Sequence, residues 1–565
     1  MQNESAQQTG QLILLKRNFS TPSTVRKLVL LKLLSSKMIT DAAVLKTYHE
    51  MLLFILAYPD NKELYTLAHQ QMQQLKRSAE EIFRNYAPRK QSLLNGSGIC
   101  SSELVYAFSF EITSWLSAAF GSSISLHSSN AQPELVSRIL SLFLPALEYQ
   151  GITQGNYSLS KRIEKLTGKK NSSFALQWLL QTFRNSEIPP TMCSSLYEQL
   201  QVYVNWKLDH PFFNRTFLRS LPLKRICFHN SMPVLKDHQH YIRKKINAAE
   251  KISAAEKTKL LDIARAALAL HGRETDPLTY GDSSNVEYFD MGNGISIALY
   301  TMLPQNRFSI ESYIGYMAFV NSVPAAYGGG WMLGYRCKIG ISIFPALRGG
   351  NSALLFAAIL RLYHLHFNAS RFVVKPYQFG KNNPDGLHSG AFWFYYKMGF
   401  RPADTALQKL AEEENKKRAT LKNYRTDTAV LREFTAAPLE LLMSNNAWPG
   451  YDAAHISKVV TRNIVQYHQS DRKQALSYYT GQMKELVTGS GRKITSLQHR
   501  ILARQALWMG ILFPDNKKMS GWTKADKQQL IQLLLSKYGP NERDYIVRLQ
   551  KHKKLWKIID SNTQI

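Results

Sequence analysis

The stretch richest in chemistry runs over residues 340–367, GISIFPALRGGNSALLFAAILRLYHLHF. A β-branched and aromatic run ends at Ile343-Phe344. Pro345 follows, and Arg348-Gly349-Gly350-Asn351-Ser352-Ala353 leads into an apolar helix. Glycines let backbone approach a ligand with no side chain between them. The first turn of a helix offers N–H groups without an intrahelical acceptor, at the dipole end that favours anions. With the charge of Arg348 added, such a loop suits a pyrophosphate. It suits equally an ordinary strand-to-helix turn with Asn351 or Ser352 as N-cap. It is neither a P-loop nor a dinucleotide fingerprint, since GxxxxGK and GxGxxG are both absent.

Three further groups attract attention. Residues 391–400, AFWFYYKMGF, place Tyr395 among packed aromatics, where it is either a core side chain or a proton donor. The polar segment QFGKNNPDGLHSG before it, which includes His388, is an acceptor-binding loop or simply a turn. The run Gly328-Gly329-Gly330 implies a bulge, a ligand against backbone, or a bulky neighbour such as Trp393. His238 and His240 form an HxH in LKDHQHYIRKK, which reads as a solvated helix start. Cys100, Cys193, Cys227 and Cys337 lie far apart with no CxxC, so they read as free thiols in a reducing compartment, and no metal site is expected.

The elements around these residues change period along the chain. Residues 1–280 repeat apolar side chains at three and four, with Asp41 and Asn61 placed as N-caps, and read as helices throughout, including the stretches around Ser102–Phe120 and Ser195–Trp206. From about 281 the pattern becomes strand-like: two strands around Asn293-Gly294, then three aromatic and β-branched stretches, a helix, a strand at RFVVKPY and a second helix. After about 403 helices return. The expected organisation is a helical region over 1–280, a mixed α/β core over 281–435 with a helical insertion near 405–424, and a basic helical region over 436–565. TAVLREFTA is the candidate for the last strand of the core.

Residues 295–402 resemble a GNAT domain, an acetyl-CoA-dependent N-acyltransferase. The family's central strand runs into a loop of Arg or Gln, two residues, Gly, one residue, and Gly or Ala. Here Arg348 and Ala353 match its ends, and Asn351 occupies the glycine position. Its second pattern, NxxAxxxYxKxGF, is matched in register by Ala391, Tyr395, Lys397, Gly399 and Phe400, with His388 in place of the asparagine. The resemblance implies a GNAT-type α/β core, a mixed sheet with flanking helices, embedded between two mainly α-helical regions. It implies acetyl-CoA or another acyl-CoA as substrate, with no metal. The pyrophosphate would lie on the N–H groups of Arg348, Gly349, Gly350, Asn351, Ser352 and Ala353, and the pantetheine beside Ile343 and Phe344. Tyr395 would protonate the departing thiolate. No Asp or Glu occurs from Ser312 through Pro384, so a base must be water, His388, Tyr316 or Tyr335, or a carboxylate from outside, with Glu311 and Asp385 at the edges.

At the scale of the whole chain, 565 residues with 44% hydrophobic content exclude global disorder and fibrous classes. No apolar run approaches membrane-span length and the N-terminus has the wrong order for a secretory signal, so a cytoplasmic protein is expected. Lys and Arg number 71 against 41 Asp and Glu, a net charge of +30. Residues 1–280 carry 34 basic and 21 acidic residues, 281–402 carry 10 and 5, and 403–565 carry 27 and 15. The excess therefore sits on the helical flanks. Two functions compete: an acyltransferase acting on an amine of a small molecule or protein, or a degenerate core whose basic helices, Arg548 to Lys557 among them, engage a polyanion such as nucleic acid or an acidic carrier protein.

Overall fold

The computed structural model describes residues 2–85, 92–153, 155–444, 450–513 and 521–563. Three antiparallel strands, β1 (Glu103–Tyr106), β2 (Ile124–Ser129) and β3 (Val202–Lys207), form a small sheet of order β1-β3-β2. They correct the all-helical reading of residues 1–280. ELVY and VYVNWK alternate in burial, but each lies beside a helix, Phe110–Phe120 and Pro190–Gln199, whose period masks it. Their pairing is also non-local, Glu103 opposite Lys207. The flanking helices bury Leu116, Leu176, Phe183 and Tyr197 against this sheet in one apolar cluster.

The nine-stranded mixed sheet is the scaffold of the molecule. β4 (Glu287–Gly292), β5 (Ile295–Tyr300), β6 (Ser312–Val320), β7 (Val323–Leu333) and β8 (Arg336–Ile339) form an antiparallel meander, and β9 (Ser342–Ile343) pairs with β7. Asn293 and Gly294 turn the first hairpin at φ 54° and 73°, the left-handed conformation that a two-residue hairpin loop requires. β10 (Arg371–Val374) lies parallel to β8, joined by the right-length crossover of the Ser352–Phe367 helix. The far edge is β10, then β12 (Leu439–Leu442), then β11 (Arg401–Pro402). TAVLREFTA is not the last strand: Asp427 caps a helix at Thr428–Glu433, and the strand follows at Leu439.

One face of this sheet, Ile314, Tyr316, Cys337 and Ile339 among its residues, is buried with the Ser352–Phe367 helix. That helix is apolar on nearly all sides, as a helix sandwiched between layers must be. The His238–Arg243 helix packs against it, and the Ala42–Ala57 helix lies on the Pro345–Leu347 turn and β7, joined there by Thr21–Ser35 and Lys62–Asn85, with Asp41 and Asn61 acting as caps. Asn321, at the β6–β7 turn, binds this layer to the sheet. Its Nδ2 donates to the Ala57 and Cys227 carbonyls, both at 2.9 Å. The opposite face is covered at β5 and β6 by the Ala254–Ala269 helix, where Tyr300 donates to the Leu260 carbonyl at 3.1 Å.

The C-terminal helices from Ala453 to Thr563 pack around Tyr479, Met509, Leu530 and Trp556. A fully buried ion cluster locks them to the sheet. Lys537 Nζ donates to Glu542 at 2.8 Å and to the Glu311 carbonyl at 2.9 Å, while Arg307 donates to the Lys537 and Gly539 carbonyls.

Candidate functional site

The site begins where a sheet ladder stops. β8 pairs with β7 as far as Gly330 opposite Ile339, and with β10 as far as Val373 opposite Lys338. Gly340 and Ile341 interrupt the ladder. Pairing with β7 resumes at Ser342 and Ile343, opposite Tyr327 and Ala326, but β10 has already turned away into Pro376–Phe379. The edge of Gly340–Ile343 that faces β10 therefore has no strand beside it.

Side chains fill the entrance to this gap. Gln378 lies directly on Gly340, where a Cβ would come within 2.6–2.9 Å of its amide. Tyr316 donates to the Gly340 carbonyl at 2.5 Å. The Tyr395 hydroxyl stands 3.4 Å from Gln378 Oε1. Tyr395 is only 2% exposed, with Phe356, Phe379, Phe394 and Phe400 around its ring. Burial raises its pKa well above the usual phenol range, and a hydrogen bond from the Ile341 backbone opposes that only in part. The phenol is thus neutral at physiological pH and keeps a proton to give. Tyr316 is also fully buried with its pKa raised by burial, and its hydroxyl is committed to Gly340, so it is no base.

The glycine-rich loop lies on the same side of the sheet, but much of its donor capacity is used within the chain. Arg348 N–H donates to the Pro345 carbonyl, Gly350 N–H to Leu347 and Ser352 N–H to Gly350. Asn351 N–H donates to the Tyr58 hydroxyl at 3.3 Å, and the Tyr58 ring covers Gly350, where a Cβ would meet it at 2.6 Å. The Asn351 side chain caps Leu354 N–H at 2.9 Å and also donates to the Pro233 carbonyl. Gly349, at φ 82°, and Ala353 make no backbone hydrogen bond through N–H among the described residues. Lys16 Nζ reaches the Ala346 and Arg348 carbonyls at 3.2 and 2.9 Å, and Arg17 lies beside Gly349. Arg348 itself is exposed.

Ile343 and Phe344 continue from the gap toward this loop, Phe344 buried against Tyr327 and His271. His388 ends the short Pro384–His388 helix and is exposed, and it makes no hydrogen bond with Tyr395. The geometry thus places Tyr395 against Ile341, two residues before Ile343, and leaves His388 exposed. Tyr58, Lys16 and Gln378 were not legible from the motif, because two of them come from the N-terminal helices. A signal existed only for Gln378, which follows the RFVVKPY strand.

The three glycines of β7 answer to three tyrosines rather than to Trp393. A Cβ would strike Tyr316 at Gly328, Tyr313 at Gly329 and Tyr363 at Gly330, the closest atoms lying 2.4–2.5 Å away. Gly315 pairs with Gly329, and Pro277 packs on Gly315, bringing Asp276 toward this face. The Asp276 charge acts on Tyr313, and partial burial raises the Asp276 carboxyl pKa. Glu311 lies 3.6 Å from Lys338, whose ammonium sits over Trp331. These carboxylates come from outside the acid-free strands. Compared with protein-family models, curated proteins and solved structures, the chain matches none.

Proposed function

We propose that the protein is an acyl-CoA-dependent acyltransferase of GNAT type that passes an acetyl or other acyl group to an amine. The observation that carries this reading is the unpaired edge Gly340–Ile343, set in a parallel strand-helix-strand unit with a neutral buried phenol beside it. A pantetheine arm is an extended chain of amides, and it would pair with such an edge as an added strand does. The amine nitrogen would attack the thioester carbonyl carbon, the new C–N bond forming as the C–S bond breaks. Tyr395 would give its proton to the leaving thiolate. The proton lost by the amine would go to a carboxylate beyond the strands, for which Asp276, whose charge reaches Tyr313, and Glu311, beside Lys338, are the candidates.

Titration calorimetry with acetyl-CoA and CoA tests this directly. Binding at micromolar concentrations, with turnover slowed by Tyr395→Phe, supports the reading. No binding of either at high micromolar concentration overturns it.

A second reading draws on the loop. Its N–H groups at Arg348, Gly350, Asn351 and Ser352 are taken up within the chain, which suits a core kept as a platform while the basic flanks hold a polyanion. Salt-sensitive retention on nucleic acid, without CoA binding, would favour it.

A further inference from the structure

A second cavity lies at the other end of the Ser352–Phe367 helix, between the large sheet and the C-terminal helices. Its volume is about 200 Å³, and its lining is more polar than apolar, with Ile314 and Phe367 contributing the apolar floor. Thr301 lines it. This residue is 8% exposed, and its buried Oγ1 has no hydrogen-bond partner among the described residues. A buried hydroxyl without a partner is rare, because its desolvation is not compensated, and such an atom marks a place where a ligand or water completes the bonding.

Two cations converge on the same space. Lys257 is anchored by one bond to the Ser284 carbonyl at 2.9 Å, and Arg543 by its Nε to the His366 carbonyl at 2.8 Å. Each anchor uses one donor. The terminal guanidinium nitrogens of Arg543 and the remaining ammonium hydrogens of Lys257 have no protein partner among the described residues. The Glu542–Lys551 helix starts at this cavity with Asn541 as its N-cap, so its positive dipole end adds to the field. Glu287 is the one carboxylate among the lining residues, and its Oε2 is engaged by His366 Nε2 at 3.0 Å.

We propose that this cavity binds a small anion bearing a carboxylate or phosphate group. Arg543 and Lys257 hold the charge and Thr301 donates to one of its oxygens. A space of about 200 Å³ admits inorganic phosphate or a short dicarboxylate. The site is separate from the gap beside Tyr395 and does not depend on the acyltransferase reading. Because Thr301 directly follows β5 and Arg543 belongs to the C-terminal helices, the ligand would tie the two together and stabilise the chain as RT ln(1 + [L]/Kd).

The test is thermal unfolding of the full chain at constant ionic strength, titrated in parallel with inorganic phosphate and with succinate, chloride being the balancing ion. A rise in Tm that follows the logarithm of 1 + [L]/Kd, rather than a linear salt effect, is expected with at least one of them, and the stronger arm tells phosphate from carboxylate. Thr301→Val keeps the side-chain volume and should weaken binding about fivefold or more. Lys257→Met should weaken it about tenfold while sparing the Arg543 anchor. The absence of such a logarithmic rise with both anions, or an equal rise in both variants, would overturn the site.

Discussion

The Tyr395 phenol and the Tyr58 phenol do opposite things with similar groups. Tyr395 is held neutral beside an unpaired strand edge, as a proton donor must be. Replacing it with Phe is expected to slow turnover tenfold or more while acyl-CoA affinity stays within about twofold in calorimetry. Loss of its buried hydroxyl should also lower stability by about 1–2 kcal/mol in denaturant unfolding, because Gln378 and the Ile341 N–H lose a partner. Tyr58 occupies Asn351 N–H, which a phosphate would otherwise take. Its hydroxyl, with a pKa pushed up to about 12 by burial, stays protonated. Tyr58→Phe should therefore tighten CoA binding severalfold in the same calorimetric titration. Equal or weaker binding would show that the hydroxyl does not compete with the ligand.

The β7 strand is where packing leaves least room at the scale of an element. Gly330 faces the Tyr363 ring, and the Tyr363 hydroxyl both accepts from Gly330 N–H at 3.2 Å and donates to the Ile314 carbonyl at 2.6 Å. It is a side chain inserted into the backbone bonding of the sheet. Gly330→Ala would set a Cβ about 2.4 Å from that ring, and the overpacking should cost about 1–3 kcal/mol. Gly349→Ala makes a useful contrast, since its nearest neighbour would be 3.9 Å away and only the φ of 82° opposes it. Its expected cost is about 1 kcal/mol. Denaturant midpoints of the two variants against the parent chain measure the difference. The periodicity of AYGGGWM identifies a strand, but the tyrosines that require its glycines lie on β6 and on the helix that follows, so no local pattern names them.

At the scale of the molecule, charge buried between regions governs stability. Lys537 and Glu542 are fully buried and bonded to each other where the C-terminal helices meet the sheet. Lys537→Met leaves Glu542 with Arg307, 3.4 Å away, as its cation and should cost about 3–5 kcal/mol, whereas adding Glu542→Leu takes the carboxylate from buried Arg307 as well and should recover little of that loss. A double-mutant cycle in denaturant unfolding measures it. The N-terminal layer adds a pH dependence. His271 is lowered to about 3 by burial and by Arg215, and His49 still more strongly by burial, with Arg215 and Arg219 adding to the effect. Both are neutral in the fold, so their contribution is complete above the unfolded-state value near 6.5. Below that the unfolded chain binds protons the fold refuses. Below pH 6.5 stability should fall by about 1.4 kcal/mol per pH unit for His271 down to about pH 3, with His49 adding a fall of the same sign. His49→Phe should flatten that fall in unfolding curves measured at pH 7 and pH 5.

The residues on which these predictions rest divide by how far along the chain their partners lie. Caps such as Asp41 and Asn351, the Asn293-Gly294 hairpin, the Ser352–Phe367 helix and the alternation through the meander are set by contacts within a few residues, so spacing alone determines them. The sequence likewise determines the strand-loop-helix order around Arg348 and the position of Tyr395 one strand and one helix later. What it could not determine is what stands opposite the loop. Tyr58 meets Asn351 across 293 residues of chain, β1 meets β3 across the six α-helices that lie between them, and Thr301 faces Arg543 only when the C-terminal helices close on the sheet. Local periodicity records which side of an element is buried. The group that buries it is chosen by chain closure, where shape, hydrogen-bond satisfaction and charge are decided together, and that selection exists only in the tertiary structure.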